Sequence, residues 1–250
     1  MRPSLGWTGD AGDRVRAAPR ATAERQAWRQ GLSVAIATAA YGVSFGALSV
    51  ASGLDVLQTC ALSLLMFSGG SQFALVGVVA GGGAPVTAIA SAAVLGVRNA
   101  LYGLSVRPWL GTRGPMTLLA AHLTIDESTA VGLAQGDERA RRVGFWVTGV
   151  GVFVGWNGTT LVGALVGDVL GDARLWGLDA AAAAAFVGLL WPRLRTRQAA
   201  AVAVASAVVA AALVPALPAG VPVLVAVVVA IVVGWTNWLG RRDEPGEERA

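Results

Sequence analysis

The sequence predicts an all-α fold, a polytopic transmembrane helical bundle with about six to eight membrane segments. Mean hydropathy is +0.62. Only 14% of the 250 residues are charged, against about a quarter in soluble domains. Several apolar runs reach about 18 residues, the length that crosses a hydrocarbon core of roughly 30 Å. The chain is therefore expected to lie within a membrane for most of its length.

The two ends of the chain are polar and predict cytoplasmic tails. We expect residues 1–30 to form a disordered basic tail, 31–239 the transmembrane transporter domain and 240–250 a charged tail. The first apolar stretch runs to residue 50, longer than the apolar region of a secretory signal, so an uncleaved first span is expected. Cytoplasmic flanks of spans favour arginine, and six arginines precede residue 30: Arg2, Arg14, Arg16, Arg20, Arg25 and Arg29.

Seven clear apolar segments lie between the tails, and an eighth, 116–135, is interrupted by His122, Asp126 and Glu127. The clear segments are 31–50, 56–81, 84–106, 143–167, 175–191, 198–214 and 221–239. By the positive-inside rule, the flanking arginines should be cytoplasmic, and the stretches 168–172 and 215–218 external. The arginines concerned are the N-terminal group, Arg139, Arg141, Arg142, Arg193, Arg195, Arg197, Arg241 and Arg242.

Two cytoplasmic ends require an even number of crossings, which leaves two arrangements. Either 116–135 crosses the membrane, giving eight crossings, or it and part of 56–81 enter the membrane and return. Arg107 and Arg113 favour the second arrangement, because full crossings would place both of them outside. The sequence leaves both arrangements open.

A short polar stretch, Phe-Ser-Gly-Gly-Ser-Gln-Phe at 67–73, interrupts the second apolar segment. Each glycine costs a helix about 1 kcal/mol relative to alanine. In lipid, an unwound turn is tolerated where it is buried in protein or lines a cavity. The sequence therefore predicts a broken or re-entrant helix here and a substrate site, while close helix packing through the glycines is the simpler alternative. The candidate ligands are Ser68, Gly69, Gly70, Ser71 and Gln72.

Arg98 lies in the third apolar segment, about two turns from its end. A long cationic side chain at that depth can extend to the membrane interface. It can instead face the bundle interior and pair, binding a substrate carboxylate or an acidic residue in bidentate fashion. Both interpretations are compatible with the sequence.

Asp126 and Glu127 are adjacent acids in a semi-apolar segment, where they would need partners or protons. They are candidates to balance Arg98 or to carry a coupling proton; the alternative is an acidic helix start at the membrane surface. His122 lies four residues before Asp126, so one helical face would hold both, and it can titrate near neutrality or be a solvated surface residue. Asn157 is a further polar candidate within a span.

Several functional classes are excluded or disfavoured. The chain has no G-x-x-x-x-G-K-[ST] motif, so it does not hydrolyse ATP through a P-loop. It has no cluster with metal-ligand spacing and, with a single histidine, no persuasive Ser/His/Asp arrangement. We therefore expect neither an enzyme nor a bound cofactor. The basic pI is explained by arginines beside membrane spans rather than by nucleic-acid binding.

Four motifs occur in an order that resembles one transporter family. They are Tyr-Gly-Val-Ser-Phe-Gly at 41–46, the stretch at 67–73, Val-Arg-Asn-Ala-Leu-Tyr-Gly at 97–103 and Thr-Ile-Asp-Glu-Ser at 124–128. Together they look like the AzlC-type permeases, the large subunits of two-component branched-chain amino acid exporters. The resemblance covers about 31–239 and is specific in its first half.

The resemblance implies export of branched-chain amino acids, in some members methionine, across the cytoplasmic membrane with a small AzlD-like membrane subunit. It adds Tyr102 to the site through the third motif, and it gives no support for an ATPase partner. Where the family commonly has Arg-His, this chain has Asn99 after Arg98. Any proton coupling would therefore use His122, Asp126 or Glu127. A structural membrane subunit without its own transport path, or a channel, is the competing interpretation.

Overall fold

The structure, a computed structural model, describes residues 20–170, 187, 188, 190, 191 and 194–236. The described residues form nine longer helices: α1 (Arg20–Ala51), α2 (Val56–Leu65), α3 (Gly69–Ala80), α4 (Pro85–Leu110), α5 (Pro115–His122), α6 (Asp126–Leu133), α7 (Glu138–Leu170), α8 (Arg197–Leu213) and α9 (Val221–Thr236). Three of them, α1, α4 and α7, are long and apolar enough to cross a membrane, and the shorter apolar helices include α2, α3, α8 and α9.

Local sequence accounts for several helix boundaries. Asp55 begins α2 with a capping box, because its carboxylate accepts from the Gln58 amide at 2.7 Å and the Gln58 side chain accepts from the Asp55 amide at 3.0 Å. Proline at the first position starts both α4 and α5. Gly111, with φ +68°, ends α4 in a left-handed conformation.

The first helix begins at Arg20, before the start at residue 31 that the apolar pattern predicts, so this helix includes residues 20–30. Alanine, arginine, glutamate and glutamine are good helix formers, which explains this extension. Residues 1–19, most of the predicted segment 175–191 and the tail 240–250 lie outside the described residues.

Helices α1 and α7 lie parallel and in close contact along their whole lengths. Near their starts, Arg139 Nε lies 2.7 Å from Glu24 Oε1. Near their ends, the backbone of Gly163 lies directly against that of Val43, and a Cβ on Gly167 would lie 3.0 Å from Ala47 Cα. Both helices therefore begin at one end of the bundle and finish at the other. Close backbone approach through small residues is the usual route to tight helix packing in lipid.

Helix α4 runs antiparallel to α7. Its C-terminal residue Trp109 accepts a hydrogen bond at its carbonyl from Arg142 Nε at 2.7 Å, close to the start of α7. The Trp109 ring packs edge-on against Phe145, with centroids 6.2 Å apart. The end of α4 thus lies beside the starts of α1 and α7. We call this the arginine end, because all described arginines except Arg98 lie there: Arg20, Arg25, Arg29, Arg107, Arg113, Arg139, Arg141, Arg142, Arg195 and Arg197.

The segment from α2 to α3 is therefore a hairpin. Helix α1 finishes and α4 begins at the end opposite the arginine end, so α2 runs into the bundle from that end and α3 runs back to it. The turn of this first hairpin is 66–68, and beside it Gln72 Nε2 donates to the carbonyls of Met66 and Ser63 at 2.7 and 3.3 Å. The helix break predicted at 67–73 is confirmed, but it falls on 66–68, and Gly69 to Gln72 form the first turn of α3.

The segment from α5 to α6 is a second hairpin, entering from the arginine end. Just after the end of α6, Gln135 donates from Nε2 to Gln30 Oε1 at 2.8 Å near the start of α1. At its turn, 123–125, Leu123 packs against Gly149 well inside α7. The prediction that His122 and Asp126 share a helical face was wrong, because the helix ends at His122 and a new one begins at Asp126. The Ser128 hydroxyl stabilises the break by donating to the Leu123 carbonyl at 2.7 Å.

The remaining described helices, α8 and α9, form an antiparallel pair beside this bundle. Gln198 Nε2 donates to the carbonyl of Val233 at 2.7 Å, which joins the start of α8 to the end of α9. Their connecting turn contacts the region between α3 and α4, because Gly220 lies against Thr87 and Val78. The turn between α8 and α9 contains the stretch 215–218. It therefore lies at the end of the bundle opposite the arginine end.

Candidate functional site at the meeting of two hairpin tips

The tips of the two hairpins meet around a cavity of about 440 Å³ in the middle of the bundle. We call it the central cavity. The first tip contributes Phe67, Ser68, Gly69 and Gly70; α4 contributes Leu95, Arg98 and Asn99; the second tip contributes Ile125, Asp126 and Glu127; and α1 and α7 contribute Ala37, Thr38, Tyr41, Val152 and Trp156. Most of the surface of the cavity is apolar, so its few charged and polar groups determine what it can bind.

The start of α3 faces this cavity without a side-chain cap. Ser68 is the N-cap residue, yet its side chain makes no capping hydrogen bond, and its buried Oγ has no partner among the described residues. The first backbone amides of any helix lack partners within that helix. They also carry the positive end of the helix dipole. The tip of the first hairpin is thus suited to a carboxylate.

Arg98 lies directly beside this helix start. A Cβ on Gly70 would stand 2.8 Å from Arg98 Nη2, closer than real Cβ contacts, so only glycine gives the guanidinium this position. The guanidinium carries a positive charge, and the helix start carries the positive end of the helix dipole. An anion placed there would interact favourably with both of them.

Arg98 forms an ion pair with Asp126 at the tip of the second hairpin. Arg98 Nη1 lies 3.1 Å from Asp126 Oδ2, with side-chain exposures of 34% and 15%. The arginine therefore faces the bundle interior. The sequence allowed either pairing there or extension to the membrane interface, and the structure shows the pairing. Glu127 lines the same cavity. Because Asp126 begins α6, its carboxylate also interacts favourably with the dipole of that helix.

Gln72 is close to the central cavity but does not line it. Its side chain is fully buried, and besides its bonds to Ser63 and Met66 it accepts a hydrogen bond at Oε1 from Trp156 Nε1 at 2.9 Å. The bonds to Ser63 and Met66 hold the tip of the first hairpin together, and the bond from Trp156 links that tip to α7. The geometry gives Gln72 the role of holding the tip and the Trp156 ring in place.

Ser71 and His122 line a second cavity of about 380 Å³, which we call the side cavity. The buried Ser71 Oγ has no hydrogen-bond partner among the described residues. The His122 ring packs between Phe67 and Phe153, at centroid distances of 5.8 and 5.6 Å. Ser71 and His122, both predicted as site residues, therefore line the side cavity and not the central cavity that contains Arg98.

Two further predicted residues lie outside the described linings of both cavities. Asn157 follows Trp156 on α7 and donates from Nδ2 to the carbonyl of Phe153 at 2.7 Å. Tyr102 is half-buried on α4, one turn beyond Arg98. Nothing in these positions brings either side chain to the central cavity.

Three cavity residues were missed at the sequence level: Thr38, Tyr41 and Trp156. Trp156 forms a wall of the cavity and stacks on Phe45 at 5.9 Å. Its indole N–H needs a partner when buried, so a tryptophan beside Asn157 in the middle of a span was an available indication. Tyr41 belongs to the motif at 41–46, whose position in the bundle only the packing of α1 on α7 reveals.

Comparison with known proteins places these features in a family. A family model described as AzlC protein matches residues 33–170, more than half of the chain. The inner membrane protein YgaZ of Escherichia coli (strain K12) is 29% identical over 180 residues, which cover 71% of this chain and 72% of YgaZ. No solved structure matches the chain. The matched region contains both hairpins and all residues with which α1, α4 and α7 line the central cavity.

Proposed function

Because the chain belongs to the AzlC family, a family of membrane transport proteins and not of enzymes, we propose that it is a secondary exporter of branched-chain amino acids. It acts in the cytoplasmic membrane together with a small AzlD-like subunit, and other hydrophobic amino acids such as methionine are further substrates. The single observation that carries this proposal is the position of Arg98 against the uncapped start of α3 in a cavity whose surface is mostly apolar.

An aliphatic amino acid matches the two kinds of surface in the central cavity. Its carboxylate would bind between the Arg98 guanidinium and the first amides of α3. Its side chain would contact Phe67, Phe73 and Val152, which line the same cavity. One methylene in such a pocket is worth only about 1–3 kcal/mol, so leucine, isoleucine, valine and methionine would be weakly discriminated.

The Arg98–Asp126 pair supports a mechanism in which substrate and aspartate compete for one cation. A carboxylate that binds Arg98 takes over part of the interaction that the guanidinium makes with Asp126. Any coupling proton would be carried by Asp126, Glu127 or His122, which lie near the tips of the two hairpins. No ATPase is part of this mechanism.

The distribution of charge supports one orientation. The starts of α1, α7 and α8 and the end of α4 carry the arginines, while Asp55 and Asp168 lie towards the opposite end. Since cytoplasmic loops favour arginine, the arginine end would face the cytoplasm. The first hairpin would then enter the membrane from outside and the second from the cytoplasm.

Uptake of leucine- or valine-containing dipeptides into cells tests the proposed function. Cells that express this chain together with its small partner subunit should accumulate less intracellular leucine than cells with either protein alone. Arg98→Ala should abolish the difference, whereas Arg113→Ala, an exposed arginine at the end of the bundle, should preserve it. Unchanged accumulation with both subunits in the membrane would refute the exporter, and downhill flux without the partner would indicate a channel.

A further inference from the structure

The central and side cavities meet at three shared residues: Phe67, Ser68 and Asn99. Phe67 lies at the tip of the first hairpin, and Asn99 faces it from α4, next to Arg98. A group leaving the central cavity at this point therefore enters the side cavity. The contact between the two cavities is immediately beside the proposed carboxylate site.

The side cavity extends from this junction towards the end opposite the arginine end. On α4 its lining residues Ala92 and Ile89 lie between Asn99 and the start of the helix at Pro85. On α3 they run from Ser71 to Leu75, in the direction in which that helix returns to the same end. The central cavity, the junction and the side cavity are thus arranged in sequence from the middle of the bundle outward.

The lining of the junction and side cavity combines polar oxygens with apolar surface. Three buried oxygens there have no hydrogen-bond partner among the described residues: Ser68 Oγ, Ser71 Oγ and Asn99 Oδ1. Buried polar groups normally have partners, and these three oxygens are acceptors available to a polar solute that enters the passage. The rest of the lining includes Leu75, Ile89 and Ala92. An ammonium group needs acceptors and an aliphatic chain needs apolar contacts, and this lining provides both.

The Phe67 ring is the barrier between the two cavities. It is 7% exposed and is held by Phe153 and His122 at centroid distances of 5.1 and 5.8 Å. Its backbone belongs to the non-helical turn at 66–68, between the end of α2 and the start of α3. Movement of this one turn would change both the position of the ring and the width of the passage.

We propose that the side cavity is the outward half of the export path, and that the zwitterionic amino acid passes into it between Phe67 and Asn99. The ammonium group is transferred along Ser68, Asn99 and Ser71, while the Phe67 ring closes the passage before and after each transfer. This inference rests on the proposed function for the identity of the solute. The path itself is tested independently of export.

Cysteine accessibility tests the path. In a Cys60→Ser background, which removes the single native cysteine, Ala92→Cys places a thiol in the side cavity. A membrane-impermeant methanethiosulfonate added to intact cells should label it, and leucine accumulated from a dipeptide should slow the labelling. Ala88→Cys is the matched control: Ala88 is equally buried on the same helix, lies nearer the outer end and does not line the side cavity. Labelling at Ala92→Cys should be at least about tenfold faster than at Ala88→Cys, since apolar burial suppresses the reactive thiolate.

The barrier is tested with a thiol in the central cavity. Thr38→Cys should react slowly from outside while Phe67 is present and at least about tenfold faster with Phe67→Ala, because the removed ring opens the passage to water. Labelling of Ala92→Cys by a membrane-permeant maleimide but not by the impermeant reagent would overturn the path, as would labelling only from the cytoplasmic face. Labelling as expected without any leucine efflux would retain the path and refute the exporter.

Discussion

Gly70 allows the Arg98 guanidinium to lie against the first turn of α3. Gly70→Ala would place a methyl group 2.8 Å from Nη2 and displace the guanidinium. A hydrogen bond to a charged group is worth about 1.5–3 kcal/mol, so we expect the KM for leucine efflux to rise by roughly tenfold or more. This KM is obtained from leucine efflux by dipeptide-loaded cells in which the variant and the wild-type protein have the same abundance in the membrane.

Gly77→Ala is the control for this substitution. Gly77 lies on the same helix, and no atom of the described residues lies within 4 Å of the position its Cβ would take. Its KM should stay at the wild-type value. If Gly70→Ala also leaves the KM unchanged, Arg98 does not bind the substrate in the position that the structure gives it.

Asp126 forms the ion pair with Arg98 and would compete with a substrate carboxylate for its guanidinium. Asp126→Asn removes the charge that competes with a substrate carboxylate, with little change of volume. Because the pair is partly exposed, we expect a difference of about 1 kcal/mol, or roughly fivefold. Both KM and kcat of efflux should fall by about this factor, since binding improves while release slows. A raised KM would show that Asp126 assists substrate binding instead of competing with it.

At the scale of the elements, one buried hydrogen bond joins the first hairpin to α7. Gln72→Leu leaves the Trp156 N–H and the carbonyls of Met66 and Ser63 without their partner. Each unsatisfied buried group costs about 1–3 kcal/mol, so thermal unfolding in detergent should occur at a markedly lower temperature. Combination with Trp156→Phe gives a double-mutant cycle, in which the two losses should be less than additive. Additive losses would mean that the two side chains do not act together.

The packing of α1 on α7 depends on glycines that cannot be enlarged. Gly163→Ala would force a methyl group into the backbone of Val43. Overpacking typically costs about 1–3 kcal/mol, and we expect reduced folded protein in the membrane and a lower unfolding temperature. Gly158→Ala is on the same helix and should be neutral, because no atom in the described part of the chain lies within 4 Å of the new Cβ. Equal behaviour of the two variants would contradict the parallel packing of α1 and α7.

The sequence predicted some elements correctly for physical reasons and missed others for equally physical ones. The glycines and polar residues at 67–73 indicated a break because they weaken a helix wherever they occur. The break at 123–125 was missed, since Leu-Thr-Ile has no glycine or proline, and it depends on the Ser128 hydroxyl bonding back to Leu123. That missing break led to the wrong pairing of His122 with Asp126.

At the candidate site, too, some features were predictable from the sequence and others were not. The pairing of Arg98 with Asp126 was one of two sequence interpretations, because the two charges needed partners in an apolar environment. The contribution of α1 was not predictable, since Thr38 and Tyr41 reach the central cavity only through the register of α1 on α7. Long-range register depends on contacts between residues more than 100 positions apart, which a local pattern does not encode.

For the whole molecule, the two hairpins favour the arrangement in which 56–81 and 116–135 enter the membrane and return. Both return to the end from which they entered, as the contacts of Trp109 with Arg142 and of Gln135 with Gln30 require. The arrangement with eight crossings would instead place the turn at 81–84 and the turn at 111–114 each on the opposite side. Measuring the side on which these two turns lie therefore distinguishes the two arrangements.

Single cysteines in a Cys60→Ser background provide this measurement. Ala84→Cys, just before α4, should react with an impermeant maleimide on intact cells, because the proposed orientation places both ends of the first hairpin outside. Thr112→Cys, between α4 and α5, should react only after the membrane is permeabilised, because it lies at the arginine end, which the proposed orientation places in the cytoplasm. The reverse pattern would establish full crossings by both segments. It would also separate the two hairpin tips, and the central cavity with its Arg98–Asp126 pair would then need a different architecture.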